Sequence, residues 1–542
     1  MKIQTLVAVS AALALALGAG VAAKADTTAP TYVESLNSAA TLKVLATSGD
    51  TFGSYVLPGT PDGIGITHEG SRIAAFMNHE FTNQQSGFAR GNGSITAGST
   101  ITKLLIDPKT QAVVSAEDAI KSVVWYDYQT GTYGNAPVAP TGAKATNDYG
   151  DVMHSTALNR FCSSSLADSG MLQYTATSTQ KVHGKSKKVT STIGFGGAVY
   201  LTSEEDGDES RGFGLNTATG QLVQLPKLGL AGTETFNVAP VNSLKTVVIG
   251  DEDGSAATSE LRVYVGTKQN TGTWYEKAGL TNGVLSYVKV DGAATDTEFR
   301  NLYGKGRAVP AKFYSVDTGL NGKLQNTIAT SEATGFSRIE DGAFDPQHPN
   351  DFYYVTTSSN KDAKATALDP ATPLVTARDG GGLWRLRFKD VTKPELGATV
   401  ELLLDGSEPQ FINMPDNLTI DTAGNILLQE DPGNNLTRSR VWAYRISDAK
   451  LVNMLQFSAK YFDKTSANFI TIDEESSGIL DVTKAMRSGA ADKNSYFLLD
   501  AQVHATIAAS RPDITNADSI KTAVEGGQVY LLTVSDWSKI YG

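Results

Sequence analysis

The chain has 542 residues, with 46 Lys+Arg against 57 Asp+Glu and a formal charge of −11. Its 40% apolar content can bury a sizeable core, which excludes a disordered or fibrous chain. The acidic balance argues against holding nucleic acid or anionic lipid by charge alone, and the lone cysteine, Cys162, excludes an intrachain disulfide framework.

Residues 1–25 read as a secretory signal: Lys2, an apolar run from Leu6 to Leu17, and the small-x-small site Ala23-Lys24-Ala25. No Arg-Arg pair is present, which favours Sec export and predicts a secreted or periplasmic product starting at Asp26. No second apolar run is long enough to span a bilayer, so no membrane insertion is expected.

Residues 26–542 read as one β-rich domain. Short apolar runs at 73–77, 102–106, 198–202, 246–249, 261–265, 352–356, 383–388 and 528–534 have strand length and are bounded by Gly, Asp, Asn or Pro. Residues 117–123 and 505–510 are the better helix candidates. Strands ending in Asp-rich turns recur without the long alternating helices that a parallel doubly wound sheet needs. The predicted fold is therefore all-β, a single large β-propeller, with insertions at 142–149, 177–192 (Lys-rich) and 360–369.

Acidic residues cluster beside these strands: Glu204-Glu205-Asp206-Gly207-Asp208-Glu209, Asp251-Glu252-Asp253-Gly254, Glu340-Asp341-Gly342 and Gln429-Glu430-Asp431. Carboxylates at several strand ends can converge on a hard cation, or each cluster can merely solvate a tight turn. Asn78-His79-Glu80 is either a capped loop or a polar trio at a propeller mouth, with Asp62 supplying a further carboxylate nearby. In an extended segment Arg338 and Glu340 share a face, as a phosphate clamp beside a metal ligand or as a surface ion pair. Asp416 is a ligand or a turn cap, and Cys162 a small core residue or a metal thiolate. No Gly-x-Ser-x-Gly elbow, phosphate-binding Gly-x-x-x-x-Gly-Lys loop or His-x-x-x-His pair occurs.

The ordered set Asn78-His79-Glu80, Leu201-Thr202-Ser203-Glu204-Glu205, Gly250-Asp251, Arg338-Ile339-Glu340-Asp341-Gly342 and Pro415-Asp416-Asn417-Leu418 resembles the PhoX-type alkaline phosphatases over about residues 50 to 535. The resemblance implies about six irregular blades around a site holding an iron pair and calcium. It implies Asn78 and Arg338 as catalytic phosphate contacts. It also implies Glu80, Cys162, Glu204, Glu205, Glu234, Asp251, Glu340 and Asp416 as metal ligands. Two departures stand out: Ser203 where the family has Cys, and Arg160-Phe161 ahead of Cys162 where the family has an Asn-Cys context.

The expected protein is an exported, metal-dependent phosphoester hydrolase using Ca2+ and Fe. It would act as a monomer on a small phosphorylated substrate, without nucleic acid. Two other readings stay open: a non-catalytic calcium-binding envelope propeller, and a calcium-dependent esterase or lactonase with His79 as base.

Overall fold

The computed structural model describes residues 27–542 apart from 28, 84, 86–87, 90–94, 183–184, 255–258, 358–380, 409, 411 and 435–436. The signal segment 1–25 and the insertion at 360–369 lie outside the described residues.

The chain forms a six-bladed β-propeller. Six innermost strands, Pro61–Glu69, Phe161–Ala167, Thr233–Val238, Ile339–Phe344, Pro415–Ile420 and Glu474–Asp481, each lie against the next. The last lies against the first, which closes the ring. Numbering the blades by these strands, each continues outward through antiparallel neighbours. In blade 1 the order is Pro61–Glu69, Arg72–His79, Thr100–Asp107 and Ala112–Asp118. Blades 3 and 4 are fused at their rims, where Val309–Val316 pairs with Ala398–Asp405. Blade 6 is completed by the N-terminal strand Ala40–Thr47, which pairs with Glu525–Val534 and ties the two ends of the chain into one sheet.

Apolar residues hold the ring as six clusters, one between each neighbouring pair of blades. Between blades 3 and 4, for example, Ile249 and Val263 face Phe352, Tyr354 and Trp384, all buried. This burial is the main source of cohesion, since strands paired only within their own blade would leave both faces wet. At the axis the strands approach closely. A Cβ on Gly63 would lie 2.2 Å from the Ser164 amide nitrogen, so only glycine fits beside the blade 2 strand there.

The strand expectations at 73–77, 102–106, 352–356, 383–388 and 528–534 fall inside observed strands, and 246–249 falls inside Lys245–Glu252. The helix expected at 117–123 is absent. Ala112–Asp118 and Ser122–Asp127 are strands joined by a short turn, because Glu117 pairs across to Lys103 and Val123 joins the blade 2 sheet. Residues 505–510 are helical only from Ile507, after the long strand Ser495–Thr506. The Lys-rich insertion is a two-stranded ribbon, Gln173–Val182 with Lys185–Gly194.

Candidate metal centre

Every blade places one ligand-type side chain at the same point, the second residue of its innermost strand. In blade order these are Asp62, Cys162, Glu234, Glu340, Asp416 and Glu475. All six are buried. In each strand the pairing register shifts at or just after this position: between Asp62 and Ile64, Phe161 and Ser164, Thr233 and Thr235, Ile339 and Gly342, Pro415 and Leu418, and Ser476 and Ile479. Such bulges re-aim side chains, and here they occur at the residues of a single axial ring.

The second strands add an outer set. The residues paired with the first residue of each inner strand are His79, Glu204, Glu252, Thr356, Glu430 and Val503. The residues that follow them are Glu80, Glu205, Asp253, Thr357, Asp431 and His504. Successive side chains of an extended strand point to opposite sides, and this alternation divides each acidic doublet between two jobs. Glu204 pairs with Arg211 (Nε–Oε2 2.8 Å), Glu252 with Arg262 (3.3 Å) and Glu430 with Arg440 (2.7 Å), all within their blades. Glu205, Asp253 and Asp431 instead line a central cavity of about 1010 Å³, together with Glu80, Cys162, Glu234, Glu340, Asp416 and Glu475. The insertion at 142–149 and the helix Gly322–Glu332 contribute Lys144 and Lys323 to its wall.

Three groups have ligand atoms within 4.8 Å of one another: Asp62–Glu80–Cys162, Cys162–Glu205–Glu234 and Glu234–Asp253–Glu340. Each combines the inner residue of one blade, the outer residue of that blade and the inner residue of the next. Neighbouring groups therefore share Cys162 and then Glu234. Buried carboxylates this close resist ionising together. Burial, then Glu475 and Glu80, raise the Asp62 carboxyl well above its usual range, and burial, then Glu205 and Glu340, do the same to Glu234. Asp416 is raised by burial and by Glu340 and Glu475. Burial pushes Glu205 to about 8, against the pull of Arg160, and Glu475 to about 7. The Cys162 thiol is raised by burial and by Asp62, to whose Oδ2 it donates at 3.1 Å. Cations among these oxygens and this sulfur would relieve the repulsion, so the donor set fits metal.

Two arginines reach the cavity. Arg338 donates from Nε to Asp253 Oδ1 at 2.7 Å and lies 3.2 Å from Glu340. Arg160 pairs with Glu80 and, at 2.8 Å, with Glu205.

Of the residues singled out in the sequence, Glu80, Cys162, Glu205, Glu234, Glu340, Asp416 and Arg338 meet at this cavity. Glu204 turns into its blade toward Arg211. Asp251 is fully buried, two residues short of Asp253, and faces Asn237. Asn78 lies beneath the ring, its amide donating to the Cys162 and Ser163 carbonyls and to Thr202 Oγ1, so it braces Cys162 rather than lining the cavity. His79 is enclosed in blade 1 between the Gly59 carbonyl and Thr102, and burial lowers it to about 4. That placement removes the base on which an esterase or lactonase reading relied. Asp62, Glu475, Asp253, Asp431 and Arg160 complete the site. For the acids the signal is positional: an acid or thiol stands second in each inner strand, and in blades 1, 2, 3 and 5 an acid stands one step past the second strand.

No protein-family model matches the chain, and neither does any curated protein sequence. Among solved structures, the chain is similar to Pseudomonas fluorescens PhoX in complex with vanadate, a transition state analogue. The TM-score is 0.59 at 12% identity, covering 96% of this chain and 98% of that one. Kuenenia stuttgartiensis hydrazine synthase (TM-score 0.26, 10% identity, 72% of this chain and 79% of that one) is too distant to bear on the site. The similarity to PhoX spans both chains nearly end to end and shows a shared propeller fold.

Proposed function

We propose that the chain is an exported metal-dependent phosphoester hydrolase. The observation that carries this reading is the run of three overlapping ligand groups sharing Cys162 and Glu234, with the Arg338 guanidinium beside the third. The likeness in fold to a protein solved with vanadate supports it.

Asp62, Glu80, Cys162, Glu205, Glu234, Asp253 and Glu340 would hold the cations. The two groups containing sulfur suit iron, and the all-oxygen third suits calcium. When bound, such ions supply Lewis-acid polarisation of a phosphoryl group. The protein's own part is positioning and charge. Arg338 presents a planar fork of donors, and its Nη1, which has no protein partner, is free for a phosphoryl oxygen. Asn78 fixes the backbone at Cys162 and Ser163 and so holds the sulfur in register. Gln502, donating to Asp62 at 3.0 Å, Glu80 at 3.1 Å and Glu475 at 3.3 Å, orients carboxylates from blades 1 and 6.

The mature chain loaded with calcium and iron should hydrolyse p-nitrophenyl phosphate at alkaline pH. Absence of hydrolysis with the metals bound would overturn the reading.

A further inference from the structure

Resting on that reading, we propose that Arg160 is a second phosphate-binding arginine. Paired with Arg338, it clamps a terminal dianionic phosphate and so selects phosphomonoesters over diesters.

The two arginines occupy equivalent points of the repeat. Each stands two residues before the ring residue of its blade, Cys162 or Glu340, and each has a left-handed backbone, with φ of 41° and 61°. Thr60 (φ 42°) and Met414 (φ 53°) stand at the same point before Asp62 and Asp416. The left-handed turn is therefore a device of the fold that leads the chain into the bulge. Blades 2 and 4 place a long cationic side chain on it.

The pairing pattern joins the two into one arc. Arg160 bridges Glu80 and Glu205, and Arg338 bridges Asp253 and Glu340. Asp253 stands close enough to Glu205 to help raise its carboxyl. The sequence of charges along the cavity wall thus runs acid, arginine, two acids, arginine, acid.

A purely neutralising role does not account for Arg160. The fold already has neutralising arginines in Arg211, Arg262 and Arg440, which pair with the acids of the doublets that turn into the blades, away from the cavity. The first two of these have side chains only 2% and 1% exposed, whereas that of Arg160 is 37% exposed at the cavity. Arg160 also keeps a donor without a partner, Nε, just as Arg338 keeps Nη1. Buried donors are rarely left unmatched, and two on arginines lining one cavity call for a ligand rich in acceptors. A monoester dianion offers three terminal oxygens to two forks. A diester offers two, with one charge fewer, so the second fork loses most of its purpose.

The test compares wild type, Arg160→Gln and Arg160→Lys, each loaded with metal and assayed for metal content. It measures binding of inorganic phosphate by calorimetry and turnover of p-nitrophenyl phosphate and bis(p-nitrophenyl) phosphate. Arg160→Gln should weaken phosphate binding about tenfold or more and lower kcat/KM for the monoester by about tenfold more than for the diester, with metal retained. Arg160→Lys should restore only part, because an ammonium cannot make the fork. Unchanged phosphate binding, an unchanged monoester-to-diester ratio, a wild type that binds no phosphate, or a loss that only follows loss of metal would each overturn the proposal. Arg160-dependent phosphate binding with hydrolysis of neither ester would sustain the clamp and sink the hydrolase.

Discussion

The arc of the ring from blade 1 to blade 4 differs from the arc that returns through blades 5 and 6. Strand pairing builds equivalent positions in both, and the inner residues are of one kind throughout: Asp62, Cys162, Glu234 and Glu340 on one arc, Asp416 and Glu475 on the other. The outer positions differ. Blades 1 to 3 carry Glu80, Glu205 and Asp253, and blades 4 to 6 carry Thr357, Asp431 and His504. The residues leading into blades 2 and 4 are arginines, and those leading into blades 1, 5 and 6 are Thr60, Met414 and Asp473. Among the described residues, the three-ligand groups fall on the first arc alone. The propeller thus supplies six similar sockets, and side-chain identity at two positions per blade decides which of them gather three ligand-type atoms.

The largest effect should come from Glu234→Gln, because Glu234 belongs to two of the groups. We expect loss of cations from both and a fall in hydrolysis of about a hundredfold or more, read by elemental analysis and kinetics. Cys162→Ser removes the other shared ligand and should likewise lower metal content, the sulfur-dependent metal most of all. Next comes Arg338→Gln, which should retain metal but lower kcat/KM by about a hundredfold. Asp416→Asn, on the returning arc, should cost about tenfold or less, and a loss matching that of Glu234→Gln would erase the contrast between the arcs.

Two further changes concern stability. Arg211→Met leaves Glu204 buried and unpaired within blade 2, and thermal or denaturant unfolding should show destabilisation by about 3–5 kcal/mol. In chelated protein the ring carboxyls are held above their unfolded range, Glu475 to about 7 and Glu205 to about 8. Between the unfolded carboxyl range and pH 8 the folded state binds more protons than the unfolded state, so stability falls as pH rises through that window. Chelated protein should melt at a lower temperature at pH 8 than at pH 5, and added cation should flatten the difference.

Much of this was legible in the sequence, for a physical reason. Short apolar runs beside acidic turns mark strands whose ends face a common axis, which gives the β-propeller and the neighbourhood of Glu205 and Glu340, while Cys162 and Glu234 enter as ligands only through the resemblance to the PhoX-type family. What escaped depended on phase and on polar burial. Asp253 faces the cavity and Asp251 does not, and nothing local sets which of the alternating residues turns inward until the pairing of Thr233 with Glu252 fixes it. The blade 6 inner strand, Glu474–Asp481, reads Glu-Glu-Ser-Ser-Gly-Ile-Leu-Asp and has no apolar run to announce it. Its Ser476 is buried and accepts a hydrogen bond from Gln429, a contact only the closed ring provides. Residues 117–123 looked helical because their apolar spacing is equally compatible with a turn between two strands.

The central claim is that three cation sites share Cys162 and Glu234. Elemental analysis of the protein purified from its native envelope, beside Glu234→Gln prepared in the same way, tests it most directly. The account predicts about three bound cations per chain in the wild type, iron and calcium among them, and loss of at least two in the variant. A cation-free wild type, or a variant with an unchanged metal count, would contradict it.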